Sequence, residues 1–132
     1  MSNLVSRSGL VTALLVTTAA CGGDSRDDPP PRVMVSTPTP AEYSVGEQLF
    51  DANCSVCHGH RAVGTQQGPP LVHVIYESSH HSDVAFYRAV QLGVRAHHWN
   101  FGDMSPVPGV GQDDVRQIVS YVRWLQREAG IF

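Results

Sequence analysis

Cys54-Ser55-Val56-Cys57-His58 is the stretch that decides the fold. Two cysteines three positions apart, followed at once by a histidine, make the C-x-x-C-H attachment signature for c-type haem. The spacing has a chemical reason. Two thiols placed this way reach the two vinyl groups on one edge of the porphyrin and form thioethers. The histidine that follows is then held under the ring, where its imidazole can bind iron from one face. One covalent haem c on Cys54 and Cys57, with His58 as an iron ligand, is therefore expected. Covalent attachment also keeps the cofactor in place outside the cytoplasm, where lost haem is not recovered.

Other chemistries of a close cysteine pair fit less well. Structural zinc takes four ligands, usually with a second Cys or His pair at similar spacing. The one other cysteine, Cys21, lies in a different kind of segment. A dithiol redox pair belongs in a βαβ setting, and the sequence around Cys54 is instead patterned as helix.

The first 42 of the 132 residues differ from the rest. Residues 1–20 hold one charge, Arg7, ahead of an apolar run from Leu10 to Val16 and then the small residues Thr17-Thr18-Ala19-Ala20. A basic start, a short apolar core and a small-residue end make an export signal. The core is too short for a membrane span, which needs roughly 20 apolar residues. Cys21 directly after Ala19-Ala20 resembles a bacterial lipoprotein cleavage site, although Thr18 stands where that family most often has Leu. The resemblance implies a lipidated Cys21 that anchors the chain to a membrane, facing the periplasm or cell exterior. An ordinary secretory signal with an incidental Cys is the alternative. Residues 21–42 contain Pro29-Pro30-Pro31, Pro38 and Pro40 with little to bury, and read as a solvated, semi-rigid tether.

Residues 43–132 form the folded domain. It is small for a single core, and a buried haem would supply much of the missing apolar volume. The net charge is −3, and all nine basic residues are arginine. Neither nucleic-acid binding nor a polybasic membrane patch is indicated.

The domain reads as all-α with long irregular connections. Ser44 and Glu47 have capping-box spacing, with Ser44 as N-cap of a short helix leading into Cys54. Residues 59–70 are rich in Gly and Pro and read as a loop. Residues 71–77 are apolar enough for a short helix, though Val72, Val74 and Ile75 leave the assignment ambiguous. Ser82-Asp83 can cap a helix over 84–92 that Gly93 ends. Residues 94–111 are loop-like. The clearest helix runs over 112–129, where Val115, Ile118, Val119, Val122 and Leu125 follow the spacing of one buried face. Asp113 and Asp114 at its start and Arg123 and Arg127 near its end suit the helix dipole.

This order of parts resembles a class I cytochrome c over residues 43–132. A haem motif follows the first helix; then come Gly68-Pro69-Pro70-Leu71, a late Met104 followed by Ser105-Pro106 where the family commonly has Pro-Pro, and an amphipathic C-terminal helix. The resemblance implies a class I cytochrome c-like fold wrapped around one haem. In it His58 is the proximal ligand, and the Pro69 carbonyl accepts a bond from the other ring nitrogen of His58. Leu71 packs on the haem, Trp99 bonds a haem propionate, and Met104 is the distal iron ligand. Gly46 and Phe50 match the Gly and aromatic pair that lets the last helix cross closely, with Tyr121 or Trp124 as partner. The two histidine pairs, His80-His81 and His97-His98, have no counterpart in the family. Neighbouring side chains usually point apart, so solvated or hydrogen-bonded histidines are expected there. His97 and His98 are also rivals of Met104 for the iron.

The function these residues imply is one-electron transfer to and from redox protein partners, not enzymatic turnover. The alternatives are a haem domain with a labile sixth ligand, acting as a peroxidase or gas sensor, and a subunit that feeds electrons into a dehydrogenase or oxidase.

Overall fold

The computed structural model describes residues 30–132. The expected export signal, Cys21 and the start of the expected tether lie outside the described residues. Four α-helices carry the domain: α1 (Ser44–Asn53), α2 (Ser55–His58), α3 (Asp83–Leu92) and α4 (Gln112–Glu128). Short 3-10 turns occupy Ala41–Tyr43, His60–Ala62 and Val74–Tyr76. Among the described residues there is no β-strand, only one isolated antiparallel bridge between Val94 and Met104. No described helix is long and apolar enough to cross a membrane.

The crossing of α1 and α4 organises the core. α1 buries Gly46 and Phe50, one turn apart, against α4. A Cβ on Gly46 would lie 2.2 Å from the Gln117 carbonyl oxygen and 2.8 Å from Tyr121 Cβ. Only glycine permits this approach. Phe50 then packs on Tyr121 with ring centroids 5.8 Å apart, so Tyr121 is its aromatic partner. Trp124 instead stacks between Tyr121 and Tyr43.

The expected face of α4 is buried, with Val115, Ile118, Val119, Val122 and Leu125 all inside. Burial goes further than the apolar pattern, because Arg123 and Gln126 are inside as well. Near the helix end Arg123 suits the dipole, but it does not face solvent. Its guanidinium instead donates to Asp83 Oδ1 at 2.8 Å, to the Tyr76 carbonyl at 2.6 Å, to Gln126 Oε1 at 2.7 Å and to the His81 carbonyl. Gln126 Nε2 donates to the Leu71 carbonyl at 2.8 Å. These two side chains supply the donors that the irregular 71–83 segment lacks, since that segment has only one 3-10 turn of its own.

Two local expectations fail. Ser44 does not cap α1, because its hydroxyl donates back to the Ala41 carbonyl at 2.8 Å. Glu47, freed from the capping box, accepts from Thr39 Oγ1 at 2.7 Å, from Arg61 at 3.4 Å and from the Tyr121 hydroxyl at 3.2 Å. The tether also ends earlier than Glu42. Val35 is buried in the main core, and Arg61 donates to the carbonyls of Val35 at 2.9 Å and Thr37 at 2.7 Å. One apolar side chain and a buried-side arginine are enough to dock a segment whose composition reads as solvated.

Candidate haem site

α1 delivers Cys54 to the start of α2, and α2 carries the rest of the motif. Cys54 and Cys57 are free thiols; Cys54 is half-buried and Cys57 exposed. Burial, and then the neighbouring Cys57, push the Cys54 thiol up to about 11. It is therefore kept protonated.

The loop after α2 folds back onto it. Gly64 N–H donates to the His58 carbonyl at 2.6 Å, and Thr65 Oγ1 donates to the Cys57 carbonyl at 2.6 Å. A Cβ on Gly68 would lie 2.9 Å from the Cys57 oxygen, so the loop passes against α2 with no room for a side chain. The next carbonyl, that of Pro69, meets His58 Nδ1 at 2.9 Å. A carbonyl only accepts, so Nδ1 carries the proton and Nε2 the lone pair. Burial lowers the His58 pKa, and the bond to Pro69 opposes this only in part. The imidazole is thus neutral, with the Nε2 lone pair free to meet a ligand.

The motif and this tautomer lie within residues 43–126, which match the family model described as Cytochrome c. The chain belongs to the cytochrome c family. Comparison with curated proteins and with solved structures gave no significant match. The cytochrome c fold here is all-α, and the family carries a covalently attached haem c used for electron transfer. The donor set of this cytochrome c suits that group: two unbridged thiols, and a neutral imidazole held by a backbone carbonyl.

The other residues singled out by sequence fall into place unevenly. Leu71 is half-buried beside the main core, tied by its N–H to the Ala62 carbonyl at 2.9 Å. Trp99 sits edge-on to His73 with centroids 5.0 Å apart, and also near Tyr76 at 6.3 Å. Met104 is half-buried. Its backbone is fixed more firmly than a loop reading implies. Met104 and Val94 exchange both N–H···O bonds at 2.9 Å, which makes a neck closing the 94–104 segment. A Cβ on Gly93 would lie 2.4 Å from the Met104 carbonyl oxygen and 3.1 Å from Pro106 Cδ. Gly93, expected only as a helix stop, is what allows the neck to form. Two residues do not alternate enough to signal a strand, so periodicity had no purchase on this pairing.

In the histidine pairs His81 and His97 are hydrogen-bonded as expected, to the Ile75 carbonyl at 2.7 Å and the Arg95 carbonyl at 2.8 Å, but the two pairs also meet. His80, His81 and His98 come together, each offering a ring nitrogen within 4.8 Å of the others. The 94–104 neck turns one pair toward the other, and the pairing of residues far apart in sequence carries no local signal.

Proposed function

We propose that this cytochrome c is a class I-type one-electron carrier, bacterial and tethered to a membrane. Cys54 and Cys57 would hold the haem through thioethers, His58 and Met104 would ligate its iron, and Leu71 and Trp99 would line the site. The observation that carries the reading is the 2.9 Å bond between His58 Nδ1 and the Pro69 carbonyl. It joins the attachment motif to the Gly68-Pro69-Pro70-Leu71 loop and fixes the ligating tautomer.

When bound, haem c supplies a one-electron Fe(II)/Fe(III) couple. His58 presents Nε2 and holds its proton on Nδ1, so the imidazole need not reorganise between the two states. The Met104 thioether is neutral and disfavours the extra positive charge of the ferric state, which raises the potential. Its fixed backbone at the Val94 neck supports the role of a permanent ligand. Val56 is 77% exposed beside the exposed Cys57. That apolar spot is the port where redox partners would dock, over a small and transient surface.

The experiment is carbon monoxide binding with Met104→Ala. The ferrous parent should not bind carbon monoxide, whereas Met104→Ala should bind it, lose the long-wavelength sulfur-to-iron band and fall in midpoint potential. Carbon monoxide binding by the parent would instead favour the sensor or peroxidase reading. An unchanged spectrum in Met104→Ala, with changes in His97→Ala or His98→Ala, would reassign the ligand.

The proposed location is the periplasmic or outer face of a membrane, through a lipid on Cys21. Cys21→Ser should move the protein from the membrane fraction to the soluble fraction without changing its spectrum. Pull-down from solubilised membranes separates a free carrier from a subunit that feeds a dehydrogenase or oxidase.

A further inference from the structure

The chain brings together four imidazoles that are not part of the attachment motif. Ring centroids are 4.7 Å apart for His80 and His81, 5.2 Å for His81 and His98, 5.4 Å for His80 and His98, and 4.2 Å for His97 and His98. From His80, His81 and His98, one ring nitrogen each lies within 4.8 Å of the other two. We infer that His80, His81 and His98 form a second metal site, one that takes a single divalent transition-metal ion of the Zn2+ class through three imidazoles.

The ligand type points to this class of ion. Imidazole suits Zn2+ and its neighbours in the first transition row, while Mg2+ and Ca2+ need oxygen ligands, which these three side chains do not offer. Zn–N bonds of about 2.0–2.1 Å put ligands of one tetrahedral ion roughly 3.3 Å apart. The nitrogens here lie within 4.8 Å of one another, so they need close by no more than about 1.5 Å to reach that spacing. His80 is exposed and free to turn inward. Three imidazoles leave a fourth position for water.

Three features mark the cluster as built. First, His81 Nδ1 is 2.7 Å from the Ile75 carbonyl, which places its proton on Nδ1 and its lone pair on Nε2. This is the outer bond that orients a metal-ligating histidine. Second, His98 Nε2 is buried and has no hydrogen-bond partner, the one such side-chain atom among the described residues. A buried polar atom left this way is destabilising, and coordination would satisfy it. Third, both ligand segments are held from behind. Arg123 binds the backbone of His81 and the side chain of Asp83. The Asp103 carboxylate accepts from Ala96 N–H at 2.9 Å, inside the neck formed by Val94 and Met104. Bound metal would tie residues 80–81 to residue 98.

The test is calorimetric titration of the untagged, haem-loaded protein with Zn2+ after treatment with a chelator. One equivalent should bind. His80→Gln and His98→Gln should each weaken binding at least tenfold, and His60→Gln, whose ring pairs with Asp51 elsewhere on the surface, should not. His80 is exposed, so His80→Gln keeps the fold and the haem spectrum. Absence of saturable binding, or binding that survives both His80→Gln and His98→Gln, would overturn the site. So would a change of haem axial ligation in His98→Gln, because His98 would then belong to the haem iron.

Discussion

Gly68 is bare because the Cys57 carbonyl leaves no space for a side chain there. Gly68→Ala must push the loop away from α2 and carry the Pro69 carbonyl with it. A loss of about 1–3 kcal/mol in stability is expected, the usual cost of overpacking, measured by urea unfolding. The midpoint potential should shift as well, because the carbonyl that fixes the His58 imidazole moves. A stability loss with no change in potential would leave Pro69 as packing alone. At this scale much of the site was legible in the sequence. The attachment motif was readable because its residue types serve one chemistry at one spacing, whereas the Pro69 partner of His58 followed only from the resemblance to class I cytochromes c. The role of Gly68 was not readable as a steric one, since a Gly-Pro-Pro run also describes any turn. Glu47 shows the opposite error. Its spacing from Ser44 matched a capping box, but Tyr121, Arg61 and Thr39 compete for the same carboxylate and win.

Helix α4 shows where reading by periodicity stops. Its apolar face followed from spacing alone. The inward turn of Arg123 did not, because residue type places arginine outside and only the unpaired carbonyls of the 76–83 segment draw it in. Arg123→Ala should cost about 2–3 kcal/mol, since buried acceptors lose their donor. Arg123→Lys should recover little of this, because one ammonium cannot reproduce the fork that serves two carbonyls and two side chains. Full rescue by Lys in thermal unfolding would show that charge rather than geometry matters. The crossing of α1 and α4 gives a second test. Gly46→Ala places a methyl against helix backbone rather than a flexible side chain. It should lower the unfolding free energy by on the order of 3 kcal/mol, measured by urea unfolding. Behaviour close to the parent would mean that the helices can separate without loss.

Across the whole molecule, burial lowers the pKa of His58, His73, His81 and His98. All four act with the same sign. The unfolded chain takes up protons near 6.5, where the folded chain does not, so acid favours unfolding. Stability should be full above about 6.5, fall as the pH drops below that value, and level off once the folded-state pKa values are passed. Thermal midpoints between pH 7.5 and 4.5 measure this, and a flat profile would contradict it. The domain boundary is the other feature that only the three-dimensional arrangement reveals. Composition places the start of the fold at Tyr43, while Val35 in the core and its bond to Arg61 place it earlier. In the anchored form proposed above, Cys21 is the fixed point. Counted to Tyr43, the intervening 22 residues (43 − 21) could reach roughly 75 Å when fully extended. Counted to Val35, 14 residues (35 − 21) reach roughly 48 Å. The volume the domain can sample then shrinks to about a half, and its effective concentration at a membrane-bound partner rises about twofold. One docked valine thus sets how often an electron carrier meets its neighbours.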